Sequence, residues 1–209
     1  MRLRGLYAIT PEGLAPELLV ARAERALQGG ARLLQYRSKD SDPQRRADAA
    51  LALAALCRRL GATFIVNDDV DLALAVDADG AHLGRADGDL ATARARLQGR
   101  LLGASCYDQL ERARAAVAAG ADYVAFGSVF ASPTKPGAVR APLGLFLQAR
   151  ALGVPLCAIG GISVENAPTL IHAGADLLAV VSDLFDADDV AARARAYARL
   201  FDLESVIPS

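Results

Sequence analysis

Short apolar runs recur along the chain at regular intervals: GLYAIT, RLLQYR, TFIVND, GAHLG, LLGAS, YVAFGS, PLCAIGG and LLAVVSD. Each is of strand length and nearly continuous in apolar residues, the pattern of strands buried on both faces of a parallel sheet. Between them lie Ala/Leu/Arg stretches with helical periodicity, such as APELLVARAERALQGG and PQRRADAALALAALCRRLG. Most of these stretches end in glycine, with Gly30, Gly61, Gly120, Gly153 and Gly174 in equivalent places. Glycine accepts the left-handed conformation that closes a helix. About eight strand–helix units follow from this rhythm, each near the minimum length for a parallel crossover.

Eight such units predict a closed (β/α)8 TIM barrel of the α/β class, with residues 1–209 as one domain. GAHLG is the shortest strand candidate, and the unit before it is compressed. An open doubly wound sheet is the alternative. It lacks support from a Gly-x-Gly-x-x-Gly after the first strand. No linker or low-complexity segment divides the chain.

In this fold chemistry collects where strands end and the following loops begin. In chain order those ends carry Thr10; Gln35, Arg37 and Lys39; Asn67 and Asp68; His82 and Asp87; Ser105; Ser128, leading to Ser132, Thr134 and Lys135; Gly160 and Gly161; and Ser182. The opposite ends, where helices feed strands, show mostly Gly-Ala and Gly-Val-Pro. Gln35, Arg37 and Lys39 occupy alternate positions, so in an extended chain they leave one face together.

Composition sharpens this asymmetry. Lys39 and Lys135 are the only lysines in a chain with 23 Lys plus Arg; Asn67 and Asn166 are the only asparagines, His82 and His172 the only histidines. The formal net charge of −1 gives no global basic field for nucleic acid. No long uncharged apolar run suggests a membrane span or a signal peptide. Cys57, Cys106 and Cys157 are widely spaced and match no zinc pattern, which predicts free thiols in a reducing cytoplasm.

The strand-end residues form two chemical sets. Arg37, Lys39 and Lys135 are cations, and Asp68 and Asp87 are carboxylates with room for a divalent metal. Cations with a carboxylate-held Mg2+ suit a diphosphate. AIGGISVENAP ends a strand in Gly160-Gly161, with Ser163 placed to cap a helix, and so suits a monophosphate at backbone N–H groups. A transferase joining a diphosphate-activated donor to a phosphorylated acceptor needs both sites.

Over essentially its whole length the chain resembles the thiamin-phosphate synthase family. The resemblance is carried by GLYAIT, GGARLLQYRSKD, FIVNDDVDLALAVDADGAHLG, LLGASC, GADYVAFGSVFASPTK, AIGGIS and GADLLAVVSDLF, in that order and spacing. It implies a (β/α)8 barrel that uses Mg2+ to join 4-amino-5-hydroxymethyl-2-methylpyrimidine diphosphate to 4-methyl-5-(2-hydroxyethyl)thiazole phosphate, releasing pyrophosphate by a dissociative route. By match, the segment of Gln35, Tyr36, Arg37, Ser38 and Lys39, with Asn67, Ser105 and Lys135, is expected to bind the pyrimidine diphosphate. Lys39, Lys135 and Arg37 are expected to stabilise the departing charge. Asp68 and Asp87 match the metal ligands, and His82 is expected to line the pyrimidine pocket. Ser132, Pro133 and Thr134 match the thiazole-phosphate loop, and Gly160, Gly161, Val181 and Ser182 its phosphate cradle. The chain departs from the family pattern at Arg85-Ala86 before Asp87, and at Ala131-Ser132.

Two other functions stay open on sequence. A thiazole tautomerase of the same barrel group needs a general acid–base residue, typically His, after the fifth strand, where this chain has ASCYDQ. A non-catalytic barrel binding thiamin precursors would not need the metal carboxylates. The partners implied are small-molecule substrates, with neither nucleic acid nor membrane. The sequence leaves room for a homo-oligomer.

Overall fold

The structure, a computed structural model, describes residues 3–131 and 140–204. Eight parallel strands close into a barrel in simple sequential order: β1 (Gly5–Ile9), β2 (Leu33–Tyr36), β3 (Thr63–Asn67), β4 (Gly80–Leu83), β5 (Leu101–Tyr107), β6 (Tyr123–Gly127), β7 (Leu156–Ile159) and β8 (Leu177–Val180). The short GAHLG run is thus a true barrel strand, and the open-sheet alternative falls. Helices follow the strands: α1 (Pro16–Gln28), α2 (Pro43–Leu60), α3 (Val70–Ala75), α4 (Leu90–Leu97), α5 (Leu110–Ala118), α6 (Gly144–Ala149), α7 (Ala167–Ala173), and after β8 both α8 (Ser182–Phe185) and α9 (Val190–Glu204).

The local causes are visible in α2. Pro43 sits at its first position, where no N–H is needed, and Asp42 caps it by accepting from the Gln44 and Arg45 N–H groups. Gly61 ends it at φ 67°. All five glycines predicted to stop helices adopt positive φ.

Strand alternation divides the core in two. One set of side chains, including Leu6, Leu34, Tyr36, Phe64, Val66, Cys106 and Phe126, packs outward against the helices. The other, including Tyr7, Ile9, Leu33, Ile65, Tyr123, Cys157 and Leu177, fills the barrel. The period of two in a pleated strand produces both sets from runs that read as uniformly apolar. All three cysteines are buried and free. Burial pushes the thiols of Cys57 and Cys106 up to about 12.

The entry end of the barrel is not merely small residues, as the sequence suggested. Asp79, Asp122 and Asp176 stand one residue before β4, β6 and β8. Each takes the backbone N–H of the neighbouring strand on its carboxylate: Phe64 to Asp79 at 2.7 Å, Leu102 to Asp122 at 2.7 Å and Leu156 to Asp176 at 3.0 Å. Each also returns its own N–H to that residue's carbonyl, at 2.9, 2.7 and 2.8 Å in the same order. These reciprocal pairs satisfy backbone groups near the start of β3, β5 and β7.

Candidate active site

The exit end of the strands gathers most of the predicted residues into one mouth. Gln35 is buried on the inner face of β2, and Arg37 follows at the rim. Thr10 fixes the Arg37 backbone: its hydroxyl accepts from Arg37 N–H at 2.9 Å and donates to the Arg37 carbonyl at 3.2 Å. Thr10 is fully buried, so its part is to hold the β2 end. The Arg37 guanidinium pairs with Glu12, from the loop after β1, at 2.7 Å. Lys39 is exposed just beyond, while the Ser38 hydroxyl accepts from Asp40 N–H at 3.1 Å and shapes the turn. Tyr36 differs from its neighbours in side-chain direction. It lies between Gln35 and Arg37, so the pleat turns its side chain outward, among the helix-facing residues and away from the mouth.

Asp68 and Asp87 meet at the ends of β3 and β4. Asp68 stands at φ 64°, a left-handed conformation uncommon for a residue with a side chain, and its N–H donates to the His82 carbonyl at 2.8 Å. Partial withdrawal from water pushes the Asp68 carboxyl up to about 6, aided by the Asp87 carboxyl hydrogen-bonded to it; Arg37 and Asn67 pull the other way. Two acids sharing a proton in this manner are a site short of positive charge. Asp87 is held in turn by the Gly84 N–H at 2.9 Å. Arg46, from α2, anchors the same turn by pairing with Asp69 at 2.6 Å.

Below this rim a polar chain crosses the barrel floor. The Gln35 amide nitrogen donates to the Tyr7 hydroxyl at 2.7 Å. The Tyr7 and Tyr123 hydroxyls lie 2.8 Å apart. The Tyr123 hydroxyl is 3.0 Å from His82 Nδ1, and His82 Nε2 is 2.9 Å from Ser105 Oγ. Burial lowers the His82 pKa to about 4, so the ring is neutral near physiological pH. Tyr7 and Tyr123 escaped the sequence reading because a tyrosine inside an apolar run reads as core. Cys106, beside Ser105, belongs to the outward set and takes no part.

On the far side, Gly160 and Gly161 follow β7 at φ 103° and 66°. A Cβ on Gly160 would fall 2.2 Å from Ser128 Oγ, and one on Gly161 would fall 2.4 Å from the Ala131 carbonyl oxygen. The two glycines therefore admit the loop after β6, which bonds to them through Phe130 N–H and the Gly160 carbonyl at 3.0 Å. Ser163 does not cap the helix as expected. Asn166 organises the turn, accepting from Ser163 N–H and donating to the Gly161 carbonyl, both at 2.9 Å, and α7 starts only afterwards. Rarity was the one signal for Asn166 in the sequence. Val181 and Ser182 lie beside this turn at the β8–α8 junction, with Ser182 exposed. Ser132, Pro133, Thr134 and Lys135 lie outside the described residues.

Comparison with known proteins agrees with this architecture. The family described as thiamine monophosphate synthase matches residues 6–184. The thiamine-phosphate synthase of Aromatoleum aromaticum is 62% identical over 203 residues, covering 96% of this chain and 98% of that protein. The protein of the same name from Chromobacterium violaceum is 59% identical over 201 residues, covering 96% and 97%. Among solved structures, the thiamine phosphate pyrophosphorylase of Pyrococcus furiosus superposes with a TM-score of 0.85 at 34% identity, covering 99% of this chain and 98% of that one. With that similarity running through nearly every strand and strand end, the chain belongs to the thiamine monophosphate synthase family and is an enzyme of the transferase class.

Proposed function

We propose that this enzyme joins 4-amino-5-hydroxymethyl-2-methylpyrimidine diphosphate to 4-methyl-5-(2-hydroxyethyl)thiazole phosphate, giving thiamin phosphate and pyrophosphate, as a single-domain cytoplasmic barrel with Mg2+ as its cofactor. The observation that carries this reading is the Asp68–Asp87 pair at adjacent strand ends with Arg37 beside it. The two carboxylates fit Mg2+, which is usually held by one or two carboxylates with waters and substrate phosphates completing the shell. Among the described residues no group of three or more His, Cys, Asp or Glu side chains is placed to hold a metal, so a dedicated protein cage is not the form of site supported here. Asp68 and Asp87 would hold the Mg2+, which would supply positive charge to the diphosphate.

The chain's own residues do the rest. Arg37 exchanges Glu12 for the diphosphate, and Lys39 and Lys135 add compact charges around it. Gln35, Asn67, His82 and Ser105 line the floor beneath the pyrimidine. The bond from the pyrimidine methylene carbon to the diphosphate oxygen breaks, leaving a carbocation. The thiazole nitrogen attacks that carbon. Cations around the leaving group stabilise its negative charge, and the turn of Gly160, Gly161, Val181 and Ser182, with Ser132, Pro133 and Thr134, holds the acceptor's phosphate at attacking distance.

The tautomerase alternative is disfavoured by the same geometry. The stretch after Ser105 contains no histidine, and both ring nitrogens of His82 are engaged within the floor. The test is a coupling assay with both substrates and Mg2+, with thiamin phosphate detected as fluorescent thiochrome. Product that disappears with EDTA is expected. Isomerisation of the thiazole phosphate without coupling would transfer the protein to the tautomerase group, and ligand binding without either reaction would make it a binding barrel.

A further inference from the structure

We propose that the hydrogen-bond chain through the barrel floor runs in one direction, from Gln35 through Tyr7, Tyr123 and His82 to Ser105, making Tyr123 a positioning residue that turns the Ser105 hydroxyl into a donor aimed at the mouth. This use of Ser105 rests on the function proposed above; the direction of the chain does not.

The backbone builds the connection. His82 pairs in register with Gly103, and Gly103 with Tyr123, so the two side chains flank a residue that has none. A Cβ on Gly103 would fall 2.1 Å from Tyr123 Cζ and 2.5 Å from His82 Nδ1. Only glycine lets the ring and the phenol meet across the middle strand. Their 3.0 Å contact is thus built into the barrel.

The direction follows from counting protons. The Gln35 amide nitrogen, 2.7 Å from the Tyr7 oxygen, has only protons to give. Tyr7 is 1% exposed, so its own proton needs an acceptor inside the protein. The Tyr123 oxygen at 2.8 Å provides one. Were Tyr123 to donate to Tyr7 instead, Tyr7 would accept twice and leave its proton among apolar neighbours. Tyr123, fully buried, therefore passes its proton to His82 Nδ1. A neutral imidazole then carries its single N–H at Nε2, which donates to Ser105 Oγ. The Ser105 oxygen accepts from the ring, and its own proton is left to point elsewhere. Ser105 is only partly buried and lies two residues before the end of β5; on this proposal its free proton points to the mouth. A donor there suits an oxygen of the departing pyrophosphate, which gains negative charge as the bond breaks. The reverse order would make Ser105 an acceptor toward the mouth, a poor neighbour for a phosphate.

The test reads the histidine tautomer directly. With His172→Gln, His82 is the only histidine left in the chain. A long-range proton–nitrogen correlation spectrum of the full chain with isotope-labelled histidine is expected to show Nε2 protonated and Nδ1 bare. A protonated Nδ1 with a bare Nε2 would overturn the proposal. Tyr123→Phe is expected to lose the fixed tautomer and to lower kcat about tenfold, the size of one ordinary hydrogen bond, with KM for the thiazole phosphate little changed. Tyr7→Phe deletes one buried hydroxyl too, but leaves Tyr123 free to donate, so the tautomer is expected to persist. If both variants lower Tm alike while tautomer and kcat stay unchanged, Tyr123 is a packing residue and the proposal fails. Nε2–H in a protein with no coupling activity would overturn the proposed function and still support the direction of the chain.

Discussion

Aspartates at the two ends of the barrel do opposite work. At the entry end, Asp79, Asp122 and Asp176 each take a backbone N–H from the neighbouring strand and return their own. At the exit end, Asp68 and Asp87 turn toward each other. The first three have their charge answered by donors that the fold itself provides. The second two share an environment that wants a cation. The entry-end carboxylates are tied into the ladder between adjacent strands, and Asp122 also pairs with Arg94 at 2.8 Å; Asp87 takes one N–H, from Gly84, and still confronts Asp68. Like-charge confrontation, not residue type, distinguishes the acids proposed for the metal site from the structural ones.

The comparison breaks most sharply by removing one acid from each end. Asp68→Ala is expected to reduce turnover roughly a hundredfold or more, since it deletes half of the carboxylate pair proposed to hold the metal, while the melting temperature changes little. Turnover unchanged at saturating Mg2+ would remove Asp68 from the metal site. Asp176→Ala is the converse. It leaves the Leu156 N–H buried without its 3.0 Å acceptor, which is expected to cost about 2 kcal/mol and roughly 4–8 °C in Tm. Turnover per folded molecule should hold. A thermal scan and an active-site-normalised rate on the same sample read both variants, and a loss of rate without loss of stability at Asp176 would erase the distinction between the ends.

Much of this arrangement was legible before the structure. Eight apolar runs, alternating with helical stretches that stop at glycine, gave the barrel and its order, because local pattern and global fold agree at nearly every element. Polar residues at the strand ends marked the mouth. What stayed hidden was orientation. A continuous apolar run conceals which alternate side chains face inward, so Tyr7 and Tyr123 read as core although they bridge Gln35 to His82. Tyr36 entered the expected site only as part of a matched segment, and its side chain packs among the outward set. Glu12 was missed because its meaning depends on a loop that brings it to Arg37 across the top of β1. Asp79, Asp122 and Asp176 were overlooked for a related reason: their partners lie on adjacent strands, 15 to 20 residues away in sequence.

The smallest expected effect is also the most specific to the exit end. Without metal, Asp68 in the folded chain titrates at about 6, against 3.8 for an ordinary aspartate. Between those values the folded state binds more protons than the unfolded one, so stability falls as pH rises through the window. The stabilisation from the shared proton is complete below pH 3.8 and gone once pH passes about 6. Because Asp68 is only partly withdrawn from water, screening keeps the effect small, about 1–2 °C in Tm. In EDTA, Asp68→Asn should flatten this part of the pH profile and melt slightly higher than the parent above pH 6, since an amide beside Asp87 removes the like charge. Mg2+ should do the same for the parent by answering both charges at once. A variant and parent with parallel profiles, with or without Mg2+, would mean that the two carboxylates do not confront each other, and the contrast with the entry end would rest on activity alone.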